Sequence, residues 1–226
     1  MKYFDKIIKV TEKTHEYKGS FENDEVYSKE LLELVLNELN KYNNPILIDV
    51  GACTGSYSLL DLILPTLQVY SFEPSRAYIE LIENIKFNNS KTIAHKKAIS
   101  NVIGTEIFNE VEFDGCIALS MLGGVPAWHK KTIQKEVEVI TIDYFCKQNN
   151  IIPNVIKIDT EGNEINVLKG CLKTIGKYKP IIFSEYSEEN LNQYGNSLGS
   201  IDEFFNEINY KTIILNSGDI IGKPTI

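Results

Sequence analysis

A chain of 226 residues with 43% apolar and 24% charged residues is long enough for one sizeable core and fits one decorated domain better than two. Its net charge of −8 argues against a nucleic-acid partner, which wants a clustered basic face, and leaves Lys96-Lys97 and Lys130-Lys131 as solvated surface. Cys53, Cys116, Cys146 and Cys171 form no Cys-x-x-Cys pair or Cys/His cluster, the amino terminus lacks a signal peptide's apolar core, and no apolar run nears the ~20 residues of a membrane span, so a reduced cytoplasmic protein with no membrane insertion is expected.

Residues 1 to about 23 are polar with scattered aromatics and carry no legible chemistry. From Asp24, apolar residues at Leu31, Leu32, Val35, Leu36 and Leu39 follow a helical spacing that ends at Asn43-Asn44-Pro45. Residues 1–44 therefore read as an extension and a helix packed on a sheet that occupies 45–226.

The stretch Ile46-Leu47-Ile48-Asp49-Val50-Gly51-Ala52-Cys53-Thr54-Gly55 writes a strand, a carboxylate and a glycine turn. Gly51 lets main-chain N–H groups approach a ligand, and Gly55 permits close helix–strand packing. A helix is expected from about Ser56 to Leu64, closed by Pro65. Gln68 to Phe72 makes a second strand ending at Glu73-Pro74, with Glu73 22 residues beyond Gly51. That is near the ~20-residue spacing at which a Rossmann-type acid meets ribose hydroxyls; a helix-capping or solvent-facing glutamate is the alternative. A helix with Tyr78, Ile82 and Ile85 follows, and Thr92 to Ser100 alternates as a third strand, with His95 structural inside it. Strand–helix repetition implies a parallel sheet with ligands at the strands' carboxyl ends.

Residues 101–135 break the rhythm: Gly104 to Phe108 suggests an added strand, and Ser120 to His129 an irregular loop that is either a substrate cover or a mobile surface loop. Glu136 to Ile142 alternates as a strand, and Asp143 starts a short helix. Val155 to Ile158 is a buried strand ending in Asp159-Thr160-Glu161-Gly162, followed by a helix with Ile165, Leu168, Leu172 and Ile175 on one face and Gly176 as its stop. Lys179 to Phe183 makes another strand with Glu185 at its end. Acids at several strand ends seldom serve packing, because burying a charge is costly. Ser187 to Asn196 is polar and partly helical, Ser200-Ile201-Asp202-Glu203 reads as a capping box, and Tyr210 to Ile221 as a closing hairpin that reverses one strand.

Asp49-Val50-Gly51-Ala52-Cys53-Thr54-Gly55, Phe72-Glu73-Pro74, Lys157-Ile158-Asp159-Thr160-Glu161-Gly162 with Glu164, Val167-Leu168-Lys169-Gly170, and Lys179-Pro180 with Glu185 together resemble the FkbM family of S-adenosylmethionine-dependent methyltransferases, over about residues 45–186. Cys53 stands where the family usually has Asn. The resemblance implies an α/β, Rossmann-like class I methyltransferase fold: a seven-stranded, mostly parallel sheet with one antiparallel strand and helices on both faces. It also implies S-adenosyl-L-methionine as cofactor and a hydroxyl acceptor, commonly on a sugar in polysaccharide or glycan biosynthesis. Carried over, Asp49, Gly51, Ala52, Thr54 and Gly55 line the methionine side of the cofactor, Glu73 and Pro74 its ribose, Ala98 its adenine, and Asp159 its sulfonium.

An acceptor hydroxyl must lose its proton, and Asp159 or Glu161 is expected to take it. His129 and Glu185 are the candidate substrate contacts, with an exposed loop histidine the plainer reading of His129. Asp159, Glu161 and Glu185 also offer oxygen ligands to Mg²⁺, although the family resemblance does not require a metal. Two rival functions share the glycine turn and ribose acid: an NAD-type oxidoreductase, against which the missing Gly-x-Gly-x-x-Gly speaks, and a non-catalytic nucleoside-binding module.

Overall fold

The computed structural model describes residues 2–11, 21–22, 25–26, 29–111, 121–123 and 132–225. The first short strands, β1 (Lys2–Tyr3), β2 (Lys6–Ile7), β3 (Phe21–Glu22) and β4 (Glu25–Val26), pair in the order β2-β1-β4-β3, and helix α1 (Lys29–Leu39) follows. The predicted apolar stripe of α1 buries Leu31, Leu32, Val35 and Leu39. In chain order come β5 (Ile46–Val50), β6 (Gln68–Phe72), α2 (Ala77–Phe87), β7 (Ile93–His95), β8 (Ala98–Ile99), β9 (Gly104–Val111), β10 (Met121–Leu122), β11 (Thr132–Ile140) and α3 (Ile142–Asn149). The remainder is β12 (Val155–Ile158), α4 (Glu164–Lys169), α5 (Leu172–Tyr178), β13 (Ile181–Glu185), α6 (Glu188–Asn192), α7 (Leu198–Glu207), β14 (Tyr210–Ile214) and β15 (Asp219–Pro224).

The main sheet has seven strands in the order β14-β15-β13-β12-β5-β6-β7, and β15 is antiparallel to both of its neighbours. Its central strands β5, β12 and β13 are buried on both faces, which is why they read as near-continuous apolar runs. Ile48, Val50, Ile156, Ile158 and Ile182 face one core with α3, α4, α5 and α7. Leu47, Val155, Ile181 and Phe183 face the other with α1, α2 and the amino-terminal strands. A second sheet, β10-β9-β11-β8, has its own small core of Ala98, Phe108, Leu122 and Val139. No helix among the described residues is long and apolar enough to cross a membrane.

Several local expectations give way to tertiary contacts. The helix expected from Ser56 to Leu64 is a chain of turns with one 3-10 turn at Leu60–Leu62. The main-chain oxygens of Ser56, Ser58 and Leu62 accept instead from Tyr3, Thr92 and Lys6 side chains, and those competing donors outweigh a weak local helix preference. Residues 2–11, which carry no legible chemistry, thereby tie down the segment after the glycine turn, with Thr11 N donating to Asn84 Oδ1 while Asn84 Nδ2 donates to the Thr54 carbonyl.

The third strand splits at Lys96-Lys97, where Lys97 N turns back to the His95 carbonyl, and β7 and β8 enter different sheets. One helix after Gly162 becomes two, broken at Gly170-Cys171. Gly170 leaves room for the Ser100 carbonyl, and the Asp143 carboxylate accepts from Lys173 N and Thr174 N to start α5. Gly176 lies inside α5, whose stop is Lys179 at φ 51°. The capping box forms three residues earlier than expected, between Ser197 and Ser200, because Ser197 is the residue in extended backbone. The loop expected from Ser120 to His129 includes the two-residue strand β10. Trp128 and His129 lie outside the described residues.

Candidate functional site

Parallel strands β5, β6, β12 and β13 all finish at one edge of the sheet, so the acids that follow them arrive together. Asp49 sits one residue before the end of β5, with Lys157 directly opposite it on β12 and Ser71 opposite on β6. All three point to the same face. Ser58 Oγ lies 2.7 Å from both Asp49 Oδ2, to which it donates, and Ser71 Oγ. Lys157 Nζ lies 3.9 Å from Asp49 Oδ1, donates to Asp159 Oδ2 at 3.1 Å and to the Gly51 carbonyl at 3.3 Å, and stands 4.8 Å over the Tyr57 ring. Burial disfavours a charged lysine here, but Asp159 and Asp49 more than compensate and hold the ammonium above its ordinary value. Burial also pushes the Asp49 carboxyl up, against the pull of Lys157 and Ser58.

The glycine turn does a different job from the expected one. Gly51 N and Ala52 N both donate to the Phe72 carbonyl, at 3.0 and 3.1 Å, and are thus turned into the sheet. Gly51 is at φ 74°, and a Cβ there would overlap the Asp159 carbonyl, so glycine is what lets the ends of β5 and β12 meet. Gly55 packs as expected: a Cβ would meet Leu81 of α2 at 2.8 Å. Cys53 adopts φ 48°, a left-handed conformation that Asn tolerates better. Thr54 is buried, and its Oγ1, like Asp49 Oδ1, has no hydrogen-bond partner among the described residues.

Glu73 is buried, and its two oxygens accept from Cys53 N and Ser75 N, each at 2.8 Å. It braces the glycine turn against the start of α2, and Pro74 follows it half-buried. Burial raises the Glu73 carboxyl, opposed by the bonds from Ser75 and Cys53. Ala98 is buried in β8, paired with Val139 of β11, and Asn163 Nδ2 ties the adjoining Ile99 carbonyl to the turn after β12 at 3.1 Å.

That turn carries the remaining acids. Glu164 Oε1 accepts from Thr160 N and Thr160 Oγ1, both at 2.8 Å. Glu161 adopts φ 56°, and Gly162 follows at φ 106° with its open side against the Asn190 carbonyl. Asn190 Nδ2 donates to Glu161 Oε2 and to Glu185 Oε1, each at 2.9 Å. Asp219 opens the reversed strand β15 directly opposite Glu185 and joins the same edge. Burial pushes Asp219 up, with Asp159 adding to the effect. No group of three or more His, Cys, Asp or Glu among the described residues is arranged to hold a metal ion.

The structure thus brings Asp49, Glu73, Asp159, Glu161 and Glu185 to one edge and adds Lys157, Asp219, Tyr57 and Asn190, to which the sequence had attached no role. Lys157 had a visible signal, a charge inside the buried run Val155-Ile156-Lys157-Ile158. Asp219 had none, because it reads as a turn residue.

Burial first, then Asp159, Glu161 and Glu164, push Glu185 up to about 10. The folded chain therefore keeps a proton that the unfolded chain releases near its ordinary value of about 4.3. Stability from this neutral carboxyl is full below that value and declines as pH rises toward about 10. Glu185→Gln is expected to exceed the native chain in stability by about 1–3 kcal/mol at pH 8, with the gap closing near pH 4. Parallel pH dependences of the two proteins in urea unfolding would contradict this.

Solved structures share the fold. An FkbM methyltransferase from Methylobacillus flagellatus KT matches at TM-score 0.53 and 18% identity, over 80% of this chain and 44% of that one. A candidate caffeoyl-CoA O-methyltransferase from Staphylococcus aureus matches at TM-score 0.55 and 11% identity, over 88% and 85% of the two chains. Precorrin-6y C5,15-methyltransferase from Geobacter metallireducens GS-15 matches at 0.50 and 10%, over 88% and 90%. The chain spans less than half the length of the Methylobacillus protein. No curated protein sequence matches it. The sheet is that of the Rossmann-like class I methyltransferases. The profile of the methyltransferase FkbM domain matches residues 49–212, and the chain belongs to the FkbM methyltransferase domain family.

Proposed function

We propose that this chain is a methyltransferase that takes its methyl group from S-adenosyl-L-methionine and delivers it, in the cytoplasm, to a hydroxyl of a small-molecule or glycan acceptor, such as a sugar destined for cell-surface polysaccharide, rather than an NAD-type oxidoreductase or a non-catalytic module. The observation that carries the reading is the acidic edge with two buried oxygens, Asp49 Oδ1 and Thr54 Oγ1, that accept no hydrogen bond from the described residues, beside the glycine turn. Such atoms are costly unless something supplies their hydrogen bonds. The donor is a cation with an ammonium group and a ribose diol, so it offers this edge positive charge beyond that of Lys157 and the donor hydrogens that Asp49 Oδ1 and Thr54 Oγ1 lack. Asp49 and Thr54 would receive its amino-acid end. Glu73 would receive the ribose: each of its oxygens already accepts one main-chain bond and retains a second lone pair. Bound there, the group supplies an activated methyl on a positively charged sulfur.

The rest falls to the chain's own residues. Holding the acceptor oxygen in line with the methyl group is worth about 7–11 kcal/mol when well aligned. The acceptor's proton passes to Asp159 or Glu161, both partly exposed at the mouth of the edge. A second role for the acids follows from charge alone, since a negative edge favours a cationic donor over a neutral spent one.

Calorimetry with adenosylhomocysteine and with NAD is expected to show binding of the first and not the second. Single-turnover methylation by Asp159→Asn and Glu161→Gln, in protein that still binds adenosylhomocysteine, is expected to fall by about 10²–10⁴-fold in at least one variant. Native rates in both would remove the carboxylates from the chemistry. Labelled donor incubated with glycan-precursor extracts identifies the acceptor.

A further inference from the structure

Both hydrogens of the Asn190 side-chain amide are committed to carboxyl groups, one to Glu161 Oε2 and one to Glu185 Oε1, at 2.9 Å each. The amide's orientation follows from chemistry, because flipping it would set its oxygen against two acids. Three further contacts hold the amide there. Ser187 Oγ accepts from Asn190 N at 3.4 Å at the start of α6. The Asn190 carbonyl fills the space over Gly162, so α6 lies directly on the turn that carries Glu161. Tyr194, whose ring also packs on Gly162, donates from its hydroxyl to the Leu122 carbonyl at 2.6 Å, fastening the segment after α6 to the second sheet.

The two carboxyls that share this amide are not equivalent. Glu185 Oε2 is buried with no hydrogen-bond partner among the described residues. Glu161 stands on the left-handed corner of a half-buried turn and is itself partly open. Asp159, the other candidate for the acceptor's proton, is already ion-paired with Lys157 at 3.1 Å.

We infer that Asn190 is a positioning residue that sorts the two glutamates into separate roles, aiming Glu161 as the recipient of the acceptor's proton and turning Glu185 inward as its hydrogen-bonded support. This rests on the methyl-transfer reading above and narrows it from two candidate bases to one. In the step so assigned, the acceptor's O–H bond breaks and its proton goes to Glu161. The oxygen bonds to the methyl carbon, and the electron pair of the broken carbon–sulfur bond stays on sulfur. Glu185 takes no part in that transfer, because Asp159, Glu161 and Glu164 surround it and keep its proton on. Two like charges joined through one amide cannot both ionise cheaply, and burial decides which stays neutral.

The test has an arm that needs no ligand. In nitrogen-15 spectra of the ligand-free protein, with Asn190→Ala assigning the signal, Glu161→Gln is expected to shift one of the two Asn190 amide protons and Glu185→Gln the other. In the kinetic arm, Asn190→Ala and the isosteric Asn190→Asp are each expected to lower kcat tenfold or more, with adenosylhomocysteine affinity within twofold of native. Amide protons indifferent to Glu161→Gln, or a kcat within twofold of native in both Asn190 variants, would overturn the inference. A native chain that binds no adenosylhomocysteine would sink the donor reading instead, and the amide spectra would still decide whether Asn190 joins the two carboxyls.

Discussion

Lys157→Met is expected to cost the fold about 3–5 kcal/mol at neutral pH, because removing one partner of a buried ion pair strands the other. Asp49 is the group stranded: it is fully buried, its Oδ1 has no hydrogen bond, and Lys157 is the cation beside it. Burial already sets the Asp49 carboxyl above its ordinary value, and Lys157 is the first influence pulling it back. Without that pull the folded chain holds the Asp49 proton still more tightly, while the unfolded chain releases it near pH 3.9, the ordinary aspartate value of about that size. The native fold shares this decline up to its own raised Asp49 value, so the deficit relative to it opens once pH passes that value and grows toward neutrality, and it narrows in acid. Adding Asp49→Asn removes the stranded charge, so the double variant is expected to regain at least half of the loss and to lose the pH dependence. Urea unfolding of the three variants at pH 4.5 and 7.5 checks this. A single variant within about 1 kcal/mol of native, inside the usual range for exposed pairs, would show that the pair does not behave as buried.

Gly51→Ala is the second large effect, expected to cost about 2–5 kcal/mol, of which about 1–2 is left-handed backbone strain and the rest overpacking. The new methyl group would overlap the Asp159 carbonyl, a main-chain atom in a turn already fastened by Asp159 N donating to the Val50 carbonyl at 3.1 Å. The ends of β5 and β12 would have to separate, and the Asp49–Lys157–Asp159 row with them. Gly218→Ala provides the comparison. Its φ of 84° imposes similar strain, but nothing lies within 4 Å of an added Cβ. It is expected to cost only the strain, about 1–2 kcal/mol, and to leave adenosylhomocysteine binding unchanged. If denaturant titration ranks the two alike, the close approach at Gly51 carries no energetic weight.

How much of this was legible in the chain differs from element to element. Ile46–Val50, Gln68–Phe72, Val155–Ile158 and Ile181–Glu185 announce themselves as strands because each is a short apolar run stopped by turn residues and an acid. The hairpin of β14 and β15 was equally plain. Where a segment's backbone found partners elsewhere, local pattern misled: the Ser56–Leu64 helix yielded to side chains from Tyr3, Lys6 and Thr92, and the helix after Gly162 broke where the Ser100 carbonyl came close to Gly170. The site shows the same division. Acids at strand ends could be read as functional, and Glu73 could be singled out by spacing, but its bonds to Cys53 N and Ser75 N could not.

The residue order by itself determined which stretches extend, which coil, and that carboxylates would gather where strands stop, since apolar periodicity and turn chemistry act over a few neighbouring positions. Only the tertiary structure decided which of those carboxylates face a cation, which share an amide and which must stay neutral. Lys157 stands opposite Asp49 because β12 lies beside β5 in one particular register, and Asp219 meets Glu185 because β15 runs backwards. Strand order and register join positions far apart in the chain, and the dielectric surroundings that set each charge exist only once the sheet and its two flanking cores have closed.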